Sequence, residues 1–271
     1  MEIIGPPSDF HVHTQFSWDS RSGDMEATCR RAVQIGLPAI AFTDHADFVD
    51  GVHEGLRPFD VQAYLAEVER CRSLFPRLRI LSGVELGEPH RFAAEAAAVL
   101  GAGELDRVLG SVHCLVWDGR IMDASQLNQL YPSDAPMAFR SYVRELLGLV
   151  ESDQPFEVLA HLDYPKRYWP RDRMAFCEDD YEEELRAVLR ALAARGSVLE
   201  INTTRGTDPA RGLCPGPTVL RWWVEEGGRA LSFGSDAHDP ARIALGFERA
   251  AHLADAAGFR PNDDPTGFWL R

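Results

Sequence analysis

The sequence predicts an α/β protein with a single domain over residues 1–271, folded as a (β/α)7 TIM-like barrel. Seven short apolar segments alternate with longer amphipathic segments along the chain, which is the pattern of successive βα units. No run of Gly, Ser or Pro divides the chain, and no internal repeat is visible. With 271 residues, 45% of them hydrophobic, the chain can fill one large core.

The predicted strands and helices alternate from the first to the last. Each strand is a short apolar run, and the seven runs are Asp9–Thr14, Ala39–Asp44, Ile80–Glu85, Arg107–His113, Val158–His161, Ser197–Asn202 and Ala230–Asp236. Each helix is a longer amphipathic stretch, and the seven stretches are Asp24–Ile35, Val61–Phe75, Phe92–Leu100, Phe139–Val150, Tyr181–Ala194, Thr218–Glu226 and Ala241–Ala257. Glycine, which readily ends a helix, follows four of them at Gly36, Gly196, Gly227 and Gly258.

The longest irregular stretches are His45–Asp60, Val116–Met137 and Tyr164–Asp179. Each follows a predicted strand. In a βα barrel the loops at this position carry the active site, so these stretches are expected to surround it.

Charge and composition restrict the classes of partner. The formal net charge of −14 argues against nucleic-acid binding, which relies on Lys and Arg to neutralise phosphates. No segment approaches the roughly 18 consecutive apolar residues of a membrane helix, and the first residues lack the features of a signal peptide. The five cysteines are scattered and form no CxxC pair. We therefore expect a cytoplasmic protein with reduced thiols, a small-molecule substrate and neither nucleic-acid nor membrane partners; the oligomeric state stays open.

Histidines and acids stand at the C-terminal ends of six of the seven predicted strands. His11 and His13 lie two residues apart, so both side chains project from one face of the first strand. Asp19 lies within reach if the following loop folds back over the strand end. The other strand ends carry His45, Glu85, His113, His161, Asp236 and His238. Mixed imidazole and carboxylate ligands suit zinc, iron and manganese.

The joint occurrence of these residues is more informative than any one of them. A single histidine after a strand is more often a hydrogen-bonded structural residue than a metal ligand, and His-x-His alone is a weak pattern. Independent structural histidines would have no reason to share one rim of a barrel. The repetition therefore predicts a metal cluster, whereas His90 and His252 are expected on the surface and Cys114 is expected to pack.

Six motifs taken together resemble the PHP (polymerase and histidinol phosphatase) family. They are His11-x-His13-Thr14, Thr43-Asp44-His45, Gly83-Val84-Glu85, Ser111-Val112-His113, Ala160-His161 and Ser235-Asp236-Ala237-His238. The resemblance covers nearly the whole chain and implies a distorted seven-unit barrel with two or three metals.

The resemblance also implies which residues bind each metal. The implied first site is His11, His13, Glu85 and Asp236; the second is Glu85, His113 and His161; the third is Asp19, His45 and His238. Glu85 would bridge the first two metals. Many relatives have histidine at the position of Asp19, so the third site departs from the family pattern.

Further motifs resemble the histidinol-phosphate phosphatase branch of that family. They are Asp9-Phe10-His11-Val12-His13-Thr14-x-Phe16-Ser17, His161-Leu162-Asp163-Tyr164-x-Lys166-Arg167-Tyr168 and Glu200-Ile201-Asn202-Thr203. The implied activity is hydrolysis of L-histidinol phosphate to L-histidinol and phosphate, a step of histidine biosynthesis. The implied cofactors are two to three divalent metal ions (zinc, iron or manganese), with a metal-bound hydroxide as the nucleophile.

Four residues are predicted to be catalytic: Glu85, Asp236, His238 and Arg167. Arg167 and Arg205 lie in loops after the fifth and sixth strands and are predicted to bind phosphate through bidentate hydrogen bonds. An acidic residue of the loop after His45, Glu54 or Asp47, is expected to meet the cationic amine of the substrate. The general acid for the leaving group is not identified.

Three alternatives use the same residues. A phosphodiesterase or nuclease acting on small nucleotides needs the same metal site, although the acidic charge and single-domain size disfavour it. A non-catalytic metal-binding module would need closed coordination, whereas the implied ligands leave positions open. A metal-dependent amidohydrolase also has His-x-His on its first strand, but Lys166 lies in a loop rather than a strand.

Overall fold

A computed structural model of the chain describes residues 6–171, 174–204 and 212–271 and contains one eight-stranded sheet. The strands of the described chain are β1 (Asp9–Val12), β2 (Ala39–Ala46), β3 (Arg79–Gly87), β4 (Arg107–Ser111), β5 (Cys114–Trp117), β6 (Arg120–Asp123), β7 (Val158–Leu159), β8 (Val198–Asn202), β9 (Ala230–Gly234) and β10 (Trp269–Leu270). The sheet order is β1-β2-β3-β4-β7-β8-β9-β10, and all pairs are parallel except β9 with β10. The seven predicted strands are thereby confirmed.

The sheet curls until its first parallel strand meets its seventh. Val12 forms a parallel bridge with Ala237, just beyond the end of β9. The His13 amide donates to the Ala237 carbonyl at 2.9 Å, and the Asp236 amide donates to the His11 carbonyl at 2.7 Å. At its start, β9 pairs with β10 rather than with β1, and Trp269 lies opposite Leu231. The result is the predicted distorted (β/α)7 barrel, in which the first and last parallel strands are bridged near their C-terminal ends.

The helices lie between successive strands. They are α1 (Met25–Ile35), α2 (Val61–Leu74), α3 (Ala93–Gly101), α4 (Ala135–Glu151), α5 (Glu182–Arg195), α6 (Pro217–Glu225) and α7 (Phe247–Ala256). The last predicted helix was too long at its start, because Pro240–Arg242 form a 3-10 turn and Ala244 and Gly246 have φ values of 55° and 86°. No helix among the described residues is long and apolar enough to cross a membrane.

The hydrophobic core fills the space between sheet and helices. In the first half of the chain, Phe42 and Val84 pack in one cluster with Tyr64 of α2. In the second half, Phe233 packs with Trp222 of α6 in another. This packing fixes the strands, so the side chains at their C-terminal ends are held by a rigid scaffold.

The loop after β4 has more structure than the sequence analysis predicted. Strands β5 and β6 form a hairpin in which Cys114 pairs with Asp123. Its turn is Asp118-Gly119, and both residues have positive φ, at 48° and 71°. Two residues with positive φ are what a tight two-residue hairpin requires, and Asp-Gly is a common sequence for it. The hairpin places Asp123 beside the strand end that carries His113.

Candidate metal centre

The first implied metal site converges at the C-terminal ends of β1, β3 and β9. His11 Nε2 lies 3.0 Å from His13 Nε2 and 3.1 Å from Glu85 Oε2. His13 Nε2 lies 3.3 Å from Asp236 Oδ1. Asp236 has a φ of 53°, and its own amide donates the hydrogen bond to the His11 carbonyl that closes the barrel. The four side chains thus direct ligand atoms toward a common point.

The second group meets the first through Glu85. Its Oε1 lies 3.2 Å from His113 Nε2 and 2.7 Å from His161 Nε2, whereas its Oε2 faces His11. One carboxylate therefore has an oxygen in each group, which is the arrangement of a bridging ligand. His161 follows the two-residue strand β7 with a φ of 25°.

The third group lies nearer the solvent. Asp19 Oδ2 is 2.9 Å from His238 Nε2 and 3.6 Å from His45 Nε2. Asp19 reaches them because the loop after β1 folds back, as expected, and is held by buried Asp44. That carboxylate accepts hydrogen bonds from the amides of Thr14 at 2.6 Å and Ser17 at 3.0 Å.

These nine side chains fit divalent cations. Glu85 Oε2 is buried and has no hydrogen bond within the described chain, although His45 Nδ1 and two further imidazole nitrogens lie within 3.5 Å. Buried His238 Nε2 also has no hydrogen bond to a described residue. Polar atoms that crowd together without hydrogen bonding are expected where they share a cation instead.

Burial and mutual charge interactions shift the pKa values of the candidate ligands. Burial would raise the pKa of Glu85, but the charges of His11 and neighbouring imidazoles hold it well below its usual range. Burial likewise opposes ionisation of Asp236, and the hydrogen bond from His13 lowers its pKa. Burial and repulsion by His238 lower the pKa of His13 to about 3. Burial opposes protonation of His11, His45, His113 and His238, but neighbouring carboxylates outweigh burial and raise the pKa of these imidazoles. Because metal binds ionised carboxylates and neutral imidazoles, metal binding would release protons from these histidines.

Two buried carboxylates, neither of which the sequence analysis assigned to this role, orient the imidazoles. Glu200 of β8 lies with Oε1 2.6 Å from His11 Nδ1, and its Oε2 accepts from the His161 amide at 2.7 Å. Asp47 lies with Oδ1 2.8 Å from His113 Nδ1. Such contacts fix the tautomer and ring orientation of a ligand histidine. Asp47, which the sequence analysis considered for a substrate amine, thus lies against an imidazole of the cluster and also lines the cavity described below.

Arg167 lies where the sequence analysis predicted. It is 4% exposed, donates to Asn202 Oδ1, and has Nη1 3.2 Å from Asp236 Oδ2. Its guanidinium lies over the Tyr164 ring, 5.4 Å from the centroid. Arg205 lies outside the described residues. Glu54 is exposed and is not among the residues that line the cavity over the cluster.

A cavity of about 330 Å³ covers the cluster. Its lining includes Asp236, His238, Arg167, Trp18 and Asp123. The volume is within the range of small-ligand sites. The arrangement thus combines candidate cation ligands, one buried arginine and space for a small molecule.

Comparison with known proteins supplies the family. The model of the PHP domain family matches residues 9–204, which is most of the chain and includes seven of the nine candidate ligands. This chain belongs to the PHP domain family. The resemblance inferred from the motifs is thereby confirmed.

Relatives of this PHP domain protein are named as phosphatases. Histidinol-phosphatase of Lactococcus lactis subsp. lactis (strain IL1403) is 29% identical over 257 residues, covering 93% of this chain and 91% of the relative. Probable histidinol-phosphatase of Clostridium acetobutylicum is 29% identical over 255 residues, covering 93% of this chain and 94% of the relative.

A solved structure extends the likeness to the fold. It is histidinol phosphate phosphatase from Lactococcus lactis subsp. lactis Il1403 complexed with Zn, L-histidinol and phosphate. The two chains superpose with a TM-score of 0.81 at 29% identity, over 94% of this PHP domain protein and 95% of the other chain.

Proposed function

We propose that this PHP domain protein hydrolyses L-histidinol phosphate to L-histidinol and phosphate in a metal-dependent reaction. One observation carries the proposal: 94% of the chain superposes on a phosphatase solved with Zn, L-histidinol and phosphate. The cluster of nine candidate ligands at the barrel mouth agrees with it. The reaction is proposed to serve histidine biosynthesis in the cytoplasm, where the five free cysteines would stay reduced.

The proposed cofactors are two to three divalent cations, with zinc favoured and iron or manganese as the alternatives. His11, His13, Glu85 and Asp236 would hold the first; Glu85, His113 and His161 the second; Asp19, His45 and His238 the third. When bound, such cations supply positive charge to phosphoryl oxygens and make water a better nucleophile at neutral pH.

The chain's own residues provide what phosphoryl transfer otherwise needs. The monoester dianion must be held in place while charge spreads over its oxygens. Arg167 is proposed to donate hydrogen bonds to these oxygens, because its guanidinium lines the cavity beside Asp236 and is prevented from turning away by Asn202. Glu85, Asp236 and His238 are proposed to contribute to catalysis as ligands that hold the cations. Burial of the cluster excludes bulk water, which strengthens each of these interactions.

The test is phosphate release from L-histidinol phosphate compared with p-nitrophenyl phosphate and the diester bis-p-nitrophenyl phosphate. We expect kcat/KM to be highest for L-histidinol phosphate and lowest for the diester. Faster hydrolysis of the diester would overturn the proposal and favour the phosphodiesterase alternative. The cavity of about 330 Å³ agrees better with a small monoester than with a nucleic-acid strand.

A further inference from the structure

One part of the cavity lies beyond the candidate metal ligands. Trp18 and His53, on the loops after β1 and β2, line it together with Asp123 at the end of β6. Tyr164 and Tyr168, from the 3-10 turn after β7, line the cavity as well. Three loops and the hairpin thus supply aromatic rings and one carboxylate beside the cluster.

Asp123 is held close to the second group. The Asp123 backbone pairs with Cys114, which follows His113 in the chain. The amide of Ala124, the residue after Asp123, donates a hydrogen bond to the His113 carbonyl at 2.8 Å. Asp123 Oδ1 accepts from the Ser125 amide at 2.7 Å, and Oδ2 lies 3.3 Å from His53 Nδ1. These contacts fix the carboxylate while leaving 19% of the side chain exposed.

Asp123 is ionised at neutral pH. Burial raises its pKa, but the contacts with His53 and the Ser125 amide outweigh burial and lower the pKa below its usual value. The cavity therefore contains a fixed negative charge at this position.

The other carboxylates that line the cavity have partners in the cluster. Asp19 and Asp236 are candidate metal ligands, and Asp47 lies against His113 and accepts from Trp18 Nε1 at 2.7 Å. Among the described residues that line the cavity, Asp123 is the carboxylate that contacts no candidate ligand. Its charge is left for something other than a metal.

The surrounding rings suit a cation. Trp18 is fixed by its hydrogen bond to Asp47, and its ring centroid lies 4.9 Å from that of His53. Tyr164 and Tyr168 stand edge to face at 5.5 Å. Aromatic faces attract organic cations, and they do so most strongly where water is partly excluded.

We infer that Asp123, with Trp18 and His53, binds the ammonium group of the alcohol that leaves during hydrolysis. The inference rests on the proposed function, which directs the phosphoryl end of the substrate to the cluster and Arg167. The ammonium of L-histidinol phosphate then extends away from the metals, toward the part of the cavity that carries the Asp123 carboxylate. Asp123 thereby takes the role that the sequence analysis assigned to Glu54.

The experiment compares two substrates in the metal-loaded enzyme. They are L-histidinol phosphate and its deamino analogue, 3-(imidazol-4-yl)propyl phosphate, which lacks only the ammonium group. Asp123→Asn keeps an oxygen to accept from the Ser125 amide and removes the charge. The matched control is Asp118→Asn, an exposed carboxylate in the turn of the same hairpin. Thermal unfolding verifies that each variant is folded.

For Asp123→Asn we expect kcat/KM for L-histidinol phosphate to fall roughly 10- to 100-fold, mainly through KM, because a hydrogen bond between charged groups is lost. For the deamino analogue, kcat/KM of Asp123→Asn should differ from wild type by less than about twofold. The control variant should have wild-type kcat/KM for both substrates. An equal loss on both substrates, or no loss on either, overturns the assignment. Wild-type enzyme that fails on L-histidinol phosphate refutes the proposed function together with the assignment, so the two failures are distinguishable.

Discussion

Replacing Glu200 by Gln should weaken metal binding without unfolding the barrel. The carboxylate faces three groups: His11 Nδ1 at 2.6 Å, the His161 amide at 2.7 Å and Asn202 Nδ2 at 3.1 Å. When His11 binds metal through Nε2, its Nδ1 carries the proton, so all three groups are donors. A glutamine has one oxygen, and its amide nitrogen must then point at a donor in either orientation. Both the His11 tautomer and the His161 position lose support.

The expected magnitude follows from these contacts. One hydrogen bond to a charged group is lost, worth about 1.5–3 kcal/mol. Loss of a partner to a ligand histidine typically lowers metal affinity about 10- to 100-fold, which corresponds to about 1.4–2.7 kcal/mol and agrees with that range. We expect the first and second sites to be weakened by this factor.

Competition with a chelator of known affinity measures the effect. The matched control is Asp106→Asn, because Asp106 also accepts from a neighbouring strand, through the Ser82 amide at 2.9 Å and the Ser82 hydroxyl at 3.0 Å, but at the opposite end of the sheet. The control should keep wild-type metal affinity. Wild-type metal affinity in Glu200→Gln would refute the reasoning that this carboxylate orients two ligands.

Three further variants test other parts of the account. Arg167→Ala should lower kcat/KM for L-histidinol phosphate about 100-fold with metal content unchanged, since about 2.7 kcal/mol of phosphate binding is lost; unchanged kinetics would rule out the assignment. Gly234→Ala should destabilise the fold by about 1–3 kcal/mol, because the new Cβ would lie 2.1 Å from Glu200 Oε1, and unaltered thermal unfolding would contradict this. Burial opposes ionisation of Glu145, but hydrogen bonds from His90 and Arg91 lower its pKa to about 2. The resulting stabilisation is complete above the unfolded pKa near 4.5 and is lost as pH falls toward 2. In urea unfolding, Glu145→Gln should therefore lower the free energy of unfolding by about 1 kcal/mol at pH 7 and leave it unchanged near pH 2. A decrease that does not depend on pH would contradict this prediction.

The convergence of the candidate ligands was predictable because it depends mainly on topology. His11 and His13 share a strand face by their spacing alone. Parallel strands in a barrel bring their C-terminal ends to one rim, so Glu85 and His113 meet although 28 residues separate them. Both facts follow from strand positions, which the alternation of apolar and amphipathic segments predicts.

The residues that support the ligands were harder to find. Glu200 and Asp47 act across strands, and a single sequence does not state which carboxylate faces which imidazole. One signal was present: Glu200 and Asn202 are polar residues two apart on a fully buried strand, so both needed partners inside the protein. Asp118-Gly119 similarly signalled the hairpin that carries Asp123. The position of Glu54 was not predictable, because the path of the loop after β2 depends on tertiary contacts that no periodicity describes.

The central claim is that a metal cluster in this barrel hydrolyses L-histidinol phosphate. The most direct measurement is elemental analysis of the purified protein together with phosphate release from L-histidinol phosphate before chelation, after chelation and after zinc is restored. The account predicts two to three metals per chain, loss of activity with the metals and its recovery with them. Full activity in the metal-free protein would contradict it.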